Sequence, residues 1–74
     1  MKETAISGVT GREYAVSDVV RIINYQQAIF YMNQGVKLID VYPSIDFKSG
    51  RPLFVYIFDR KESHDAYDQW CKQG

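Results

Sequence analysis

Residues 52–60 read PLFVYIFDR and contain the clearest strand pattern in the chain. Because side chains alternate between the two faces of a strand, the apolar residues divide into two sets: Leu53, Val55 and Ile57 on one face, and Phe54, Tyr56 and Phe58 on the other. A strand that is apolar on both faces is typical of the centre of a sheet that is covered on both sides. A small fold must therefore supply two covers for this strand.

Two further strands and a helix are predicted before it. Residues 18–23 are β-branched and nearly all apolar, as in a strand with little access to solvent. Asn24 is a favourable N-cap for a helix, with Gln27 at the capping-box position, and Gly35 is a favourable left-handed C-cap. Residues 36–42 return to a strand pattern, with Leu38, Asp40 and Tyr42 on one side, and Pro43 is expected to end it.

The two predicted helices each have an apolar stripe. In the first helix it consists of Tyr25, Ala28, Ile29 and Met32. The second helix follows residues 52–60, with Asp59 as its N-cap, Glu62 at the capping-box position and Gly74 after its end. Its expected inward stripe is Ala66, Tyr67, Trp70 and Cys71. Residues 48–51 have the composition of a hairpin turn.

The order of elements is therefore β-α-β-β-α, which predicts an α+β fold. We expect a small three-stranded mixed sheet, with residues 52–58 in its central strand and two helices on one face. Residues 1–17 are predicted to form an N-terminal arm that can include a short edge strand, and residues 18–74 a single domain. Two arrangements stay open for the aromatic side of residues 52–58: Phe54, Tyr56 and Phe58 face the helices, or they form part of an exposed platform. This arm or a second copy of the chain is expected to cover such a platform.

Composition limits the classes of partner and location. The 74 residues include nine basic and nine acidic side chains, so the chain lacks the positive field that draws proteins to nucleic acids or membranes. No apolar run has the length of a membrane span. Cys71 is the only cysteine, so no disulfide can form within one chain, as is usual in a reducing compartment. These features predict a cytoplasmic protein without a membrane partner.

The sequence contains no recognisable catalytic or metal-binding arrangement. His64 and Cys71 are seven residues apart on the second helix, or ~10 Å, too far for a thiolate–imidazole pair. Cys71 is expected to be a small packed residue. His64 and Asp68 supply only half of a metal site, and glycine-rich phosphate loops and nucleophile motifs are absent. We therefore expect no enzyme activity, no cofactor and no metal.

The aromatic residues of the sheet predict a binding surface instead. The expected contact set is Tyr42, Phe54, Tyr56 and Phe58, with Lys48 and Arg51 at its rim. We expect a non-enzymatic interaction module, a homodimer that also binds another protein through this aromatic sheet face. The alternative is a single-stranded nucleic-acid-binding protein that stacks bases on the same aromatics. The zero net charge favours the protein partner.

A set of helix caps, turns and core positions carries a family resemblance. The matching positions are 24–28, Tyr31, 35–36, 54–59 and 67–70. In this region the chain resembles a family of small domains of unknown function from Gram-positive bacteria and their phages. The resemblance implies a phage or prophage origin, a setting in which small binding proteins are common. It supplies no catalytic residue, and it does not extend to residues 1–17.

Overall fold

The computed structural model describes residues 3–73, so the predicted end signal at Gly74 and the first two residues lie outside it. The elements in chain order are β1 (Thr4–Ile6), β2 (Glu13–Ala15), a 3-10 turn (Val16–Asp18), β3 (Val19–Ile22), α1 (Tyr25–Asn33), β4 (Leu38–Ile45), β5 (Pro52–Asp59) and α2 (Arg60–Gln73). The predicted α+β class is confirmed.

The main sheet has the strand order β3-β5-β4, so residues 52–59 form its central strand as expected. β5 is antiparallel to both neighbours, and β3 and β4 therefore run in the same direction, with α1 connecting them. Pairing with β3 ends at Ile22 opposite Tyr56, whereas pairing with β4 continues to Ile45 opposite Pro52. The first half of β5 thus has a neighbour on one edge only.

β4 continues past Pro43, which was expected to end it. Pro43 lies opposite Phe54 in the ladder, and the strand ends two residues later at Ile45. The prediction was wrong because β4 is an edge strand, where a proline is tolerated if its missing N–H would have faced away from the sheet.

A β-bulge interrupts β4 between Leu38 and Asp40. Leu38 packs with the helix-side core, whereas Ile39 packs on the opposite side, and Asp40 pairs with Ile57 there. The predicted alternation, which placed Leu38, Asp40 and Tyr42 on one side, is therefore wrong for Leu38. The extra residue brings Asp40 to the face opposite the helices.

Both helices cover the aromatic side of β5, as the predicted two-helix layer requires. The core on this side contains Ile22, Ala28, Tyr31, Val36, Phe58 and Ala66. The rings of Tyr31 and Phe58 meet edge to face at 5.2 Å between centroids, and those of Phe30 and Trp70 are 5.6 Å apart. Edge-to-face aromatic pairs of this kind add to the stability that area burial provides.

The inward faces of the helices differ from the predicted stripes. In α1 the buried residues are Ala28 and Tyr31, while Tyr25, Ile29 and Met32 are exposed. In α2 the buried residues are Ser63 and Ala66. Trp70 is half-buried, whereas Tyr67 and Cys71 are exposed. The predicted stripes are therefore right at Ala28 and Ala66 and partly right at Trp70. Apolar spacing alone did not identify Tyr31 and Ser63 as the other inward residues.

The predicted helix caps are present, although neither capping box closes. Asn24 Oδ1 accepts from the Gln26 and Gln27 N–H groups, and Asp59 Oδ2 accepts from Glu62 N–H at 2.9 Å. The Glu62 carboxylate instead accepts from Lys37 N–H at 2.9 Å, which ties α2 to the start of β4.

α1 ends in a Schellman motif at Gly35. Gly35, at φ +89°, donates to the Met32 carbonyl, and Val36 donates to the Tyr31 carbonyl. These are the two hydrogen bonds that define this motif.

The segment predicted as an N-terminal arm is a β-hairpin, in which Thr4 pairs with Ala15 and Ile6 with Glu13. It forms a separate two-stranded sheet on the side of the main sheet opposite the helices. Tyr14 of this hairpin packs against Val19, Val55 and Ile57, which form the core on that side. The second apolar face of β5 is therefore covered by the protein's own N-terminal residues.

The loops of the two hairpins, SGVTGR at 7–12 and DFKSGR at 46–51, have the same hydrogen-bond pattern. In each, the first residue donates its N–H to the arginine carbonyl and accepts from the glycine N–H. Its side chain accepts from the third residue, and the fourth residue's hydroxyl accepts from the arginine N–H. The glycines, Gly11 and Gly50, have φ values of +73° and +72°. The two loops therefore adopt the same type of turn.

Three features reduce the capacity of β4 to pair with another strand along its outer edge. The Val41 N–H donates to Asp40 Oδ1 at 2.9 Å, and the Ile39 carbonyl accepts from the Ser7 hydroxyl. Pro43 has no N–H to donate. Side-chain and proline blocks of this kind are common on exposed strand edges.

We expect Gly35→Ala to lower the free energy of unfolding by about 1–2 kcal/mol, because alanine resists the left-handed conformation. The control is Gly8→Ala, where φ is not positive and an added Cβ would lie 3.8 Å from Asp40 Oδ1, an ordinary contact. Urea denaturation of both variants measures the difference. Equal effects at the two positions would contradict the assignment of Gly35 as the cap.

Candidate interaction surface

The four aromatic residues predicted as one contact set do not share a surface. Phe58 is completely buried, and Tyr56 is half-buried in the helix-side core. Tyr42 pairs with Val55 and packs on the opposite side of the sheet. Only Phe54 is largely exposed, at 56%. The prediction of an aromatic platform was wrong because the helices use the aromatic side of β5 as their own core.

The predicted rim residues lie in the loop between β4 and β5. Lys48 and Arg51 are both exposed there. The loop is ordered by its own hydrogen bonds, including Gly50 N–H to the Asp46 carbonyl at 2.7 Å. Hydrogen bonding, chiefly from the Lys48 N–H, also lowers the pKa of Asp46, so its carboxylate is held in the charged form that accepts these bonds.

The same loop presents an apolar residue that the sequence reasoning missed. Phe47 is 100% exposed, and Ile23 and Ile45 are 62% and 58% exposed. Together with the half-buried Leu53, these residues line a groove of about 600 Å³. We call Ile23, Ile45, Phe47 and Leu53 the distal surface. Phe47 could have been recognised from the sequence, because a phenylalanine inside the turn DFKSG has no route to the core.

The distal surface is exposed because neither cover reaches it. The helices pack on Tyr56 and Phe58, at one end of β5. The N-terminal hairpin packs on Val55 and Ile57 from the other side. The end of the β4–β5 hairpin extends past both layers.

A polar cluster centred on Asp40 anchors the N-terminal hairpin. Asp40 is 5% exposed, and its carboxylate accepts from Gly8 N–H at 3.1 Å, Tyr14 Oη at 2.9 Å and Val41 N–H at 2.9 Å. Ser7, which is 2% exposed, donates to the Ile39 carbonyl and accepts from two N–H groups of its own loop. These bonds satisfy a carboxylate that would otherwise be costly to bury.

The environment of Tyr14 shifts its titration. Burial, the hydrogen bond to Asp40 and the negative charge of Asp40 together raise the pKa of Tyr14 from 10.0 to about 12. The protonated phenol is therefore the form that the folded state favours.

The remaining reactive side chains, His64 and Cys71, are exposed on α2, and each pairs with a different neighbour. His64 Nε2 lies 3.7 Å from Asp68 Oδ2 on the surface of α2. Cys71 is exposed, so its prediction as a packed residue was wrong. A hydrogen bond with Cys71 is the main cause that raises the pKa of Tyr67. Within residues 3–73, no three His, Cys, Asp or Glu side chains are placed to hold a metal ion.

In the described part of the chain, neither helix has the length and apolar character needed to cross a membrane. No protein-family model matches the sequence, and no curated protein or solved structure is significantly similar to it.

We expect the Asp40–Tyr14 contact to make stability depend on alkaline pH. A pKa that is raised on folding contributes stability that is fully present below the unfolded value of 10.0 and is lost as pH rises to about 12. Wild type should therefore be more stable than Tyr14→Phe below pH 10, and the difference should shrink between pH 10 and pH 12. Urea denaturation at several pH values measures it. A constant difference would contradict the expected titration of Tyr14.

Proposed function

We propose that this protein is a small non-enzymatic interaction module that binds other proteins through its distal surface. The observation that carries the proposal is Phe47, a fully exposed aromatic side chain on an ordered loop. Aromatic residues are enriched among the side chains that dominate binding energy at protein interfaces. A contact through Phe47 replaces the earlier expectation of a platform on the central strand.

The loop supports this role because it holds Phe47 in place before any partner binds. Asp46 and Arg51 close the loop through a backbone hydrogen bond of 2.9 Å, and the Asp46 carboxylate accepts from Lys48 N–H at 2.9 Å. An ordered loop loses less conformational entropy on binding than a flexible one. The groove beside Phe47 is also lined by charged residues of both signs, Arg21, Lys48 and Asp46.

Self-association through the distal surface is part of the same proposal. Two copies that meet there would cover Phe47, Ile23 and Ile45 on each chain, and monomers rarely leave large contiguous apolar patches open. A two-fold contact places the same patch on both subunits. The predicted homodimer is therefore assigned to this surface, with a further protein partner as a competing occupant.

The alternative function, binding of single-stranded nucleic acid, has less support from the positions of the aromatics. Tyr56 and Phe58 face the helices, so they cannot stack bases together with Phe54. The zero formal charge also gives little attraction for a polyanion. The phage or prophage origin and the cytoplasmic location stay predictions.

We expect light scattering to give a dimer mass for the wild type at micromolar concentration and a monomer mass for Phe47→Ser. Because Phe47 is fully exposed, the substitution should change the free energy of unfolding by less than about 0.5 kcal/mol. Val9→Ser, at an exposed apolar position in the other loop, is the matched control and should remain dimeric. A dimer that survives Phe47→Ser would place the interface elsewhere.

We expect Tyr56→Ala to lower the free energy of unfolding by about 2–3 kcal/mol, because it removes a half-buried ring from the helix-side core. Wild type should bind a single-stranded oligonucleotide only feebly at physiological salt, as measured by fluorescence anisotropy. Submicromolar binding that is lost in Tyr56→Ala, with an unchanged melting curve, would support the nucleic-acid function instead.

A further inference from the structure

A second cavity lies away from the distal surface, between the two helices and the edge strand β3. Its volume is about 370 Å³, within the range typical of small-molecule sites, about 300–1,000 Å³. β3 contributes Val20 and Ile22, α1 contributes Gln27 and Tyr31, and α2 contributes Arg60, Ser63, His64 and Tyr67. No residue of the distal surface lines it, so the two sites are independent.

The cavity exists because a short side chain occupies an inward position of α2. Ser63 is 2% exposed, and its hydroxyl donates to the Arg60 carbonyl at 3.3 Å, back toward its own helix. One turn further on, Ala66 packs closely in the core. A serine whose hydroxyl turns back in this way leaves space that a larger apolar residue would fill.

The inner wall presents a hydrogen-bond donor to this space. Tyr31 is 1% exposed, and its hydroxyl oxygen accepts from Gln27 Nε2 at 3.1 Å. Tyr31 lines the cavity, and the one hydrogen bond that its hydroxyl makes within residues 3–73 is this one, in which the oxygen accepts. Since buried donors are nearly always paired, a ligand with an acceptor atom at this end would complete the hydrogen bonding of Tyr31.

The lining of the cavity includes one permanently charged side chain, Arg60, which also lines a neighbouring cavity together with Asp18 and Asp59. Arg60 donates from Nε and Nη2 to the carbonyls of Ser17 and Val19, at 3.4 and 3.1 Å. These bonds hold the guanidinium in place, and its second terminal nitrogen, Nη1, is not part of them. No carboxylate lines the cavity. A guanidinium that is already positioned is well suited to bind a carboxylate.

We propose that this cavity binds a small aromatic acid. The ring lies against Val20, Ile22 and Tyr67, and an acceptor atom at the inner end receives the Tyr31 hydroxyl proton. The carboxylate remains at the mouth and contacts Arg60. The ligand class follows from the cavity: its apolar walls suit a ring, the Tyr31 hydroxyl suits an acceptor atom, and the Arg60 guanidinium suits a carboxylate.

The test is a titration of ¹⁵N-labelled protein with 4-hydroxybenzoate, followed by NMR. We expect saturable shifts of the amide signals of Ile22, Gln27, Ser63 and Tyr67. Benzoate lacks the inner oxygen and 4-hydroxybenzamide lacks the charge, so each should bind roughly five- to tenfold more weakly. The absence of saturable shifts, or shifts confined to the distal surface, would overturn the proposal.

Variants separate the two polar contacts. Tyr31→Phe should reduce the affinity for 4-hydroxybenzoate to that for benzoate, because it removes only the hydroxyl. Arg60→Gln should weaken binding of the acid and leave the amide unaffected, whereas Lys61→Gln, adjacent but outside the cavity, should change neither. If Arg60→Gln fails to fold, the comparison of acid and amide in the wild type still measures the charge contribution.

Ser63→Leu tests the location of the site. The larger side chain should fill the cavity and abolish binding of all three probes, while circular dichroism shows the same fold. Retention of 4-hydroxybenzoate binding by a folded Ser63→Leu protein would mean that the probe binds elsewhere and that the assignment of the cavity is wrong.

Discussion

The structure depends on the need to cover both faces of β5. Its side chains are apolar in both directions, so a layer on one side leaves the other exposed to water. The helices cover Tyr56 and Phe58, and the N-terminal hairpin covers Val55 and Ile57. A chain of 74 residues thereby builds a three-layer arrangement around one strand. The cost is that neither cover extends along the whole strand, and the end near Pro52 remains open.

The bulge in β4 makes the hairpin cover possible. Without the extra residue, Asp40 would alternate to the same side as Leu38, which belongs to the helix-side core. With it, the carboxylate lies beneath the hairpin and accepts hydrogen bonds from Gly8 and Tyr14. A buried polar group with all its partners fixes a specific orientation. An apolar contact through Tyr14 alone would leave the hairpin free to slide.

Local signals in the sequence predicted the fold well. The caps at Asn24, Asp59 and Gly35 have direct mechanisms in hydrogen bonding and φ, and all three are present. The central position of β5 followed from its two apolar faces. The bulge could not be predicted, because residues 38–42 fit a regular alternation equally well and the partners of Asp40, Gly8 and Tyr14, are far from it in sequence.

The candidate sites were harder to predict, since they depend on tertiary packing. Tyrosine is amphipathic, and periodicity cannot distinguish the buried Tyr31 from the exposed Tyr25 and Tyr67. Phe54 and Phe58 lie on the same face of β5, but Phe54 is exposed and Phe58 is buried, because the helices cover only one end of the strand. The cavity beside Ser63 has no sequence signal, since it arises from space between three elements.

The blocked outer edge of β4 has a consequence for aggregation. Residues 53–58, LFVYIF, contain neither a charge nor a proline or glycine, which is the composition of segments that form amyloid. In the folded protein this segment is paired with β4, whose own edge is closed by Asp40, Ser7 and Pro43. The N-terminal hairpin therefore limits strand addition along the outer edge of β4, while residues 52–55 of β5 keep one unpaired edge on the β3 side. Detachment of the hairpin would expose a route to insoluble assemblies before the rest of the fold was lost.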